Sequence, residues 1–167
     1  MLIGIDGFGG SGKSTLAKML KERLENTTVV EMDDFYLPSL RRPDYDRVYE
    51  QVLNPLAHEV NASYQRFDWQ SDQLAEWHTI QHGGMVIVEG VFSTHPAIAN
   101  PYDLKIWIEC PPEIAMERGL HRDLTQYNID TRTKWANEWL PREKQYKDTQ
   151  KPHELADVIV DGLKLFE

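Results

Sequence analysis

Five short apolar runs rich in β-branched residues recur along the chain: Leu2 to Ile5, Thr28 to Met32, Met85 to Val88, Leu104 to Ile108 and Asp157 to Val160. Runs of this length, separated by helical or irregular stretches, are the pattern of strands in a parallel sheet covered by helices. Between the first two, Lys13 to Glu25 places Leu16, Ala17, Leu20 and Leu24 on one face at helical spacing, with Lys18, Lys21, Glu22 and Glu25 mostly elsewhere. That spacing predicts one βαβ unit. Residues 37–84 read differently. Pro38, Pro43 and Pro55 punctuate them, only Val48 to Leu56 hints at a helix, and Tyr64 to Trp69 with Trp77 to Ile80 form the arms of an irregular, aromatic-rich hairpin. Two helical segments follow the fourth run, Glu113 to Leu124 after Pro111-Pro112 and roughly Asp130 to Asp148, the second broken or kinked at Pro141.

The first run leads into Gly7-Phe8-Gly9-Gly10-Ser11-Gly12-Lys13-Ser14-Thr15, which contains G-x-x-x-x-G-K-S. Such a loop wraps an anion with inward-pointing backbone N–H groups, in conformations and at close approaches open mainly to glycine. Gly7, Gly9, Gly10 and Gly12 meet that need. Lys13 is expected to reach the β- and γ-phosphates of ATP and Ser14 to ligate Mg²⁺, while the following helix offers its N-terminus to the anion. The motif follows an apolar run and opens an amphipathic helix, the context a phosphate loop demands.

In open parallel sheets, ligands bind beyond the carboxyl ends of the strands. The second run ends in Glu31-Met32-Asp33-Asp34-Phe35-Tyr36 and the third in Val88-Glu89-Gly90. A carboxylate at the first place can take a proton from an attacking hydroxyl, and one at the second can hold Mg²⁺ through water. Ser14, Glu89 and Asp33 are therefore the candidate metal ligands. Phosphoryl transfer to an alcohol needs both roles.

Composition narrows the class of partner. With 167 residues the chain is expected to form one domain, residues 1–167. Eighteen Lys and Arg against 27 Asp and Glu give a net charge of −9, which argues against nucleic acid or an anionic membrane as partner. The lone Cys110 excludes an internal disulfide. With no basic leader and no apolar run near the ~18 residues a spanning helix needs, this composition is expected of a cytoplasmic protein. A homo-oligomer is left open.

On these residues the sequence resembles the uridine kinase family of P-loop kinases, whose relatives include nicotinamide riboside kinase, pantothenate kinase and phosphoribulokinase. Asp33-Asp34-Phe35-Tyr36 is similar to the family's Asp-x-Phe-Tyr, which implies Asp33 as general base and Tyr36 in the acceptor site. Tyr45-Asp46 is similar to a Phe-Asp pair whose carboxylate binds sugar hydroxyls. Phe67-Asp68-Trp69 resembles the Tyr-Asp-Phe that opens a base-contacting hairpin, and Val88-Glu89-Gly90 the Mg²⁺-site Glu-Gly. Glu117 to Asp123 resembles the arginine-bearing start of a lid, which implies catalytic roles for Arg118 and Arg122 beside Lys13, and Ala156 to Val160 resembles the last strand. The resemblance implies an α/β fold: a P-loop NTPase three-layer αβα sandwich around a five-stranded parallel sheet. An acceptor-binding hairpin insertion is expected over about 37–84 and a short helical lid over about 113–134. The implied function is ATP-dependent phosphorylation of a small-molecule hydroxyl, the 5′-hydroxyl of a nucleoside first, nicotinamide riboside or pantothenate as alternatives. A nucleotide-binding switch or scaffold is a rival, but the Asp-x-x-Gly and Asn-Lys-x-Asp of GTP switches are not found in the right places.

Two stretches depart from the family. Gln70-Ser71-Asp72-Gln73 stands where the uridine kinases carry His and Arg, and Gln126 to Asp130 with Arg132 replaces a second arginine cluster. Asp72, if it faces the base, accepts hydrogen bonds only and so favours cytidine or a cationic riboside over uridine. Trp135 and Trp139, four apart, are expected to anchor a helix in the core, Cys110 to be a buried small hydrophobe, and Arg142 to Asp148 to be a solvated helix face.

Overall fold

A computed structural model describes residues 1–166. Strand β1 (Leu2–Gly7) runs into the glycine loop, and α1 (Lys13–Arg23) returns the chain to β2 (Thr27–Glu31). A short antiparallel pair follows, β3 (Tyr36–Leu37) and β4 (Arg42–Pro43), then helices α2 (Tyr45–Val48) and α3 (Asn54–Ala57) and the hairpin β5 (Ala62–Asp68) with β6 (Gln73–Ile80). The remaining elements are β7 (Met85–Glu89), β8 (Leu104–Glu109), α4 (Pro112–Tyr127), α5 (Arg132–Lys134), α6 (Leu140–Gln150), α7 (Pro152–Leu155) and β9 (Val158–Asp161). The five strands expected from the apolar runs form one parallel sheet in the order β2-β7-β1-β8-β9.

The sheet is buried on both faces because successive side chains point to opposite sides. Ile3, Ile5, Ile87, Ile106 and Ile108 pack on Ala17, Leu16 and Leu20 of α1. Their neighbours Leu2, Val86 and Val88 pack on the other face against Phe35, just after β2, and against Val48, Val52, Leu53 and Tyr64. A third cluster, with Phe8, Trp107, Trp135, Leu140 and Tyr146, closes the sheet's carboxyl end under α6. Three layers result, as expected of the P-loop kinase fold.

Several boundaries differ from the sequence pattern. Helix α1 stops at Arg23, because Leu24 turns extended and is 38% exposed rather than facing the core. The weak helix expected over 48–56 is longer, with a π turn at Tyr49–Leu53 joining α2 to α3. The expected break at Pro141 is likewise a π turn, Trp135–Trp139, between α5 and α6. Each π turn ends two residues before a proline, Pro55 or Pro141, which lacks the N–H for the carbonyl four residues back and crowds it. The ladder widens instead of ending.

Within the glycine loop, Gly10 (φ 80°) and Gly12 (φ 110°) lie in the left-handed region. A Cβ on Gly10 would stand 2.0 Å from the Ala115 carbonyl oxygen of α4, a backbone atom that cannot yield without moving the helix. Gly10→Ala is expected to destabilise the fold by at least about 2 kcal/mol from the strained φ and the overpacking together. Chemical denaturation measures this. A loss under about 0.5 kcal/mol would mean that α4 and the loop are not locked together.

Candidate active site

The loop is closed by a hydrogen bond from Ser11 N–H to the Phe8 carbonyl (3.0 Å), and Lys13 Nζ donates to the same carbonyl at 2.8 Å. Lys13 is only 7% exposed, held inward at the start of α1. Helix α1 has no side-chain cap and no acidic residue in its first turn, where Ser14 and Thr15 lie. Its free first-turn N–H groups and positive end remain available to an anion.

Parallel pairing sets the carboxylates around this loop. Glu89 stands in register with Glu31 of β2 on one side and Ile5 of β1 on the other, and accepts a 2.7 Å hydrogen bond from Ser14 Oγ. Burial raises the pKa of Glu89, and Asp33 raises it too, while Lys13, the Ser14 hydroxyl and Arg122 pull it back. Asp33 sits in the 3₁₀ turn Met32–Phe35 that follows β2. Asp33 is an exposed residue, yet the protein around its carboxyl lifts its pKa against the opposing charges of Lys13 and Arg122. Asp34 turns away, accepting from the Tyr64 hydroxyl at 3.1 Å and lying in the field of His78 and Arg66. Of the two adjacent aspartates, Asp33 answers to Lys13 and Arg122, and Asp34 chiefly to Tyr64, His78 and Arg66. A hydroxyl and two carboxylates form a hard oxygen set that suits Mg²⁺, an ion that completes its shell with water and substrate phosphate. Ser14, Glu89 and Asp33 fit that need. Among the described residues no cluster of three or more His, Cys, Asp or Glu forms a metal cage.

Arg118 and Arg122, expected to face one site from adjacent turns of α4, have different hydrogen-bond partners. Arg118 donates to the Gly162 carbonyl after β9 (2.9 Å) and lies 3.9 Å from Cys110 Sγ, whereas Arg122 acts on Asp33 and Glu89. Arg122 is aimed by Asp123, to which it donates at 3.0 and 2.8 Å. Burial works against the charge of Asp123, but hydrogen bonds from Thr131 (2.6 Å), Trp135 Nε1 (3.0 Å) and Arg122 outweigh it and lower its pKa. The expected lid over 113–134 divides accordingly. Its first turns pack on Gly10, while Leu124, Tyr127 and Ile129 are exposed. Arg122→Ala is expected to lower kcat/KM at least tenfold with little change in stability, because Asp123 keeps its other donors and half-exposed ion pairs contribute ~1 kcal/mol or less. Steady-state kinetics with a parallel thermal melt checks both halves. A change under threefold would leave Arg122 a surface arginine.

Aromatic side chains wall the cleft on the insertion side. Tyr36 stacks on Trp69 (4.3 Å between ring centres), buried Phe67 meets Trp69 edge-on (5.4 Å), and Trp69 Nε1 donates to the Asp33 carbonyl at 3.2 Å. The neighbouring carboxylates do other work. Asp68 accepts from Ser71 N–H (3.1 Å) and Ser71 Oγ (2.6 Å), holding the hairpin turn. Asp72 is an exposed residue of that turn in the left-handed region (φ 56°), which Asp tolerates at low cost. Asp46 lies exposed in the first turn of α2, with Asp44 as the N-cap.

Two residues that the sequence reading passed over complete the site. Asp6, fully buried at the end of β1, accepts from the N–H groups of Gly7, Phe92 and Thr94, the Thr94 hydroxyl and, at 2.7 Å, the Tyr146 hydroxyl of α6. Glu143 accepts from Gly9 N–H at 2.9 Å. The segment expected to be a solvated face thus has an inner edge of Glu143 and Tyr146, while Lys147 pairs with Glu109 at 2.7 Å. The three-to-four spacing of Glu143, Tyr146 and Lys147 was the available signal. Trp135 is buried as expected, close-packed on Gly9 and Gly119, and Cys110 is buried.

Residues 3–140 match the family model described as AAA domain (AAA_18). The chain belongs to this family. Among curated relatives of this AAA-domain chain are the uridine kinase of Alkaliphilus metalliredigens (strain QYMF), 26% identical over 144 residues, covering 75% of this chain and 69% of the relative. Another is the uridine kinase of Ureaplasma parvum serovar 3 (strain ATCC 700970), 24% identical over 181 residues, 95% and 87%. A solved structure titled a possible uridine kinase, from Bacillus stearothermophilus, superposes with a TM-score of 0.69 at 21% identity, covering 96% of this chain and 88% of that one. A protein assigned as a fructose transport system kinase, from Silicibacter sp. TM1040, gives 0.72 at 22% identity, with 96% and 89% covered. Likeness at this identity establishes the fold.

Proposed function

We propose that this AAA-domain chain is an ATP-dependent kinase of small-molecule hydroxyls, and that its acceptor is a nucleoside phosphorylated at the 5′-hydroxyl. The observation that carries the reading is the coupling of Trp69 to Asp33. A flat ring stacked on the Tyr36–Trp69 wall would hang its sugar beside Asp33, whose backbone carbonyl Trp69 holds and whose carboxyl lies in the field of Lys13 and Arg122.

In this reading Lys13 leaves the Phe8 carbonyl for the phosphates, and the backbone donors of 7–15 hold the rest of the chain. Asp33 orients the acceptor hydroxyl and takes its proton late in a loose transition state, while the Arg122 guanidinium, leaning on Asp123, offsets charge on the moving phosphoryl. Mg²⁺, when bound by Ser14, Glu89 and Asp33, supplies neutralisation of phosphate charge.

The test is transfer from ATP to a panel of uridine, cytidine, nicotinamide riboside, pantothenate and fructose, with the phosphorylated product identified. The expected result is a nucleoside monophosphate. Trp69→Ala is expected to raise the acceptor KM about tenfold, the ~1–1.5 kcal/mol of a ring contact, and to leave the KM for ATP unchanged. Turnover of a non-aromatic acceptor alone would replace the nucleoside reading, and product from no acceptor would replace the kinase reading.

A further inference from the structure

The carboxylate of Glu143 stands where a phosphate loop offers backbone N–H groups to anions. It comes from α6, far along the chain, and reaches Gly9 N–H at 2.9 Å with the residue 7% exposed. Trp135 presses on the same place: a Cβ on Gly9 would lie 2.5 Å from its ring and 3.3 Å from Glu143 Oε1. The groups that face this carboxylate are Lys13 at the head of α1, Arg142 on its own helix and Asp6 at the end of β1. Arg142 is partly committed elsewhere, donating to the Arg41 carbonyl.

A phosphate chain and an ionised carboxylate cannot share this loop without repulsion, since both only accept hydrogen bonds. A protonated Glu143 keeps its carbonyl oxygen on Gly9 N–H and gains an O–H that can donate to a phosphate oxygen. We propose that Glu143 is a positioning residue whose uptake of one proton from solvent accompanies ATP binding, so that the nucleotide site admits the triphosphate as a complex with the neutral acid. The inference rests on the nucleotide reading above and adds a charge requirement to it. Burial already pushes the Glu143 pKa up to about 7, against the Gly9 N–H, Lys13 and Arg142, with Asp6 adding to the rise. The proton is therefore available near neutrality.

The experiment is calorimetric titration of the whole chain with Mg-ATP at pH 7.5 in two buffers of different ionisation enthalpy, for the native protein and Glu143→Gln. The amide preserves an acceptor for Gly9 N–H and has no proton to take up. Uptake of about three quarters of a proton by the native chain is expected, the fraction a group with pKa about 7 lacks at that pH, and none attributable to this position in Glu143→Gln. The native affinity for Mg-ATP is further expected to fall at least fivefold more than that of the variant between pH 6.5 and 8.5. Equal uptake in both proteins, or a native affinity flat across that range, overturns the inference while leaving nucleotide binding intact. No binding of Mg-ATP by the native chain overturns both readings together.

Discussion

Lys13→Ala is expected to lower kcat by at least about a thousandfold while moving the melting temperature by no more than a few degrees. The two halves have separate causes. A charge-assisted contact to a transferring phosphoryl group in a water-poor site is worth ~3–4 kcal/mol at the transition state, and a thousandfold is ~4 kcal/mol. In the folded protein, by contrast, the hydrogen-bond partner of Lys13 is the Phe8 carbonyl, which also accepts from Ser11 N–H, so truncation orphans no backbone group. The same cation steadies the ionised forms of Asp33, Glu89 and Glu143, so its loss should raise all three and shift the acid limb of the pH–rate profile upward. Steady-state kinetics with circular dichroism melts reads both quantities. Near-native kcat would overturn the phosphate-loop assignment, and a collapsed melt would show Lys13 to be structural.

Asp33→Asn is expected to lower kcat by 10²–10⁴-fold, the range for a positioned acid or base, with the KM for ATP within about threefold. Asp34→Asn should do much less, because its carboxylate is bonded to Tyr64. The stability effect has the opposite sign. The folded pKa of Asp33 is raised by the protein around its carboxyl although the residue is exposed, so the folded state binds the proton more tightly than the unfolded state does. Stability from this group is therefore present below the unfolded value and lost as pH rises through the folded one. At neutral pH the ionised carboxylate costs a little stability that asparagine removes, an effect that exposure to solvent keeps small, so Asp33→Asn should melt no lower than the native chain at pH 7 and lose any advantage toward pH 3. A variant that is inactive and less stable at pH 7 would show that Asp33 holds the cleft together. A greater kcat loss in Asp34→Asn would move the base to its neighbour.

The aromatic hairpin shows how far local pattern reaches. Its arms were legible as the aromatic-rich runs Tyr64 to Trp69 and Trp77 to Ile80, and β5 pairs with β6 over a somewhat longer stretch, with an irregularity between Gln65 and Phe67. What Asp72 does was not legible, because a carboxylate at a hairpin tip reads the same whether it faces a ligand or tolerates a left-handed turn. The same holds for Arg118 and Arg122. Helical spacing puts them on one face, yet Arg118 donates to the carbonyl of Gly162, 44 residues on, while Arg122 is held by its neighbour Asp123, which Thr131 and Trp135 fix in turn.

The features that the sequence by itself determined are those in which each residue carries its own physical reason. Apolar runs must be buried, glycines are needed where a loop wraps an anion, and carboxylates at strand ends stand where a parallel sheet binds ligands. The five strands, residues 7–15 and the sites of Asp33 and Glu89 came from such reasons. Only the tertiary structure decided which side chains of α6 turn inward, because Glu143 and Tyr146 owe their burial to partners over 130 residues away, Gly9 and Asp6. In sequence a buried, hydrogen-bonded carboxylate and a solvated one are the same letter. The difference between them is the desolvation and the donor that the fold supplies.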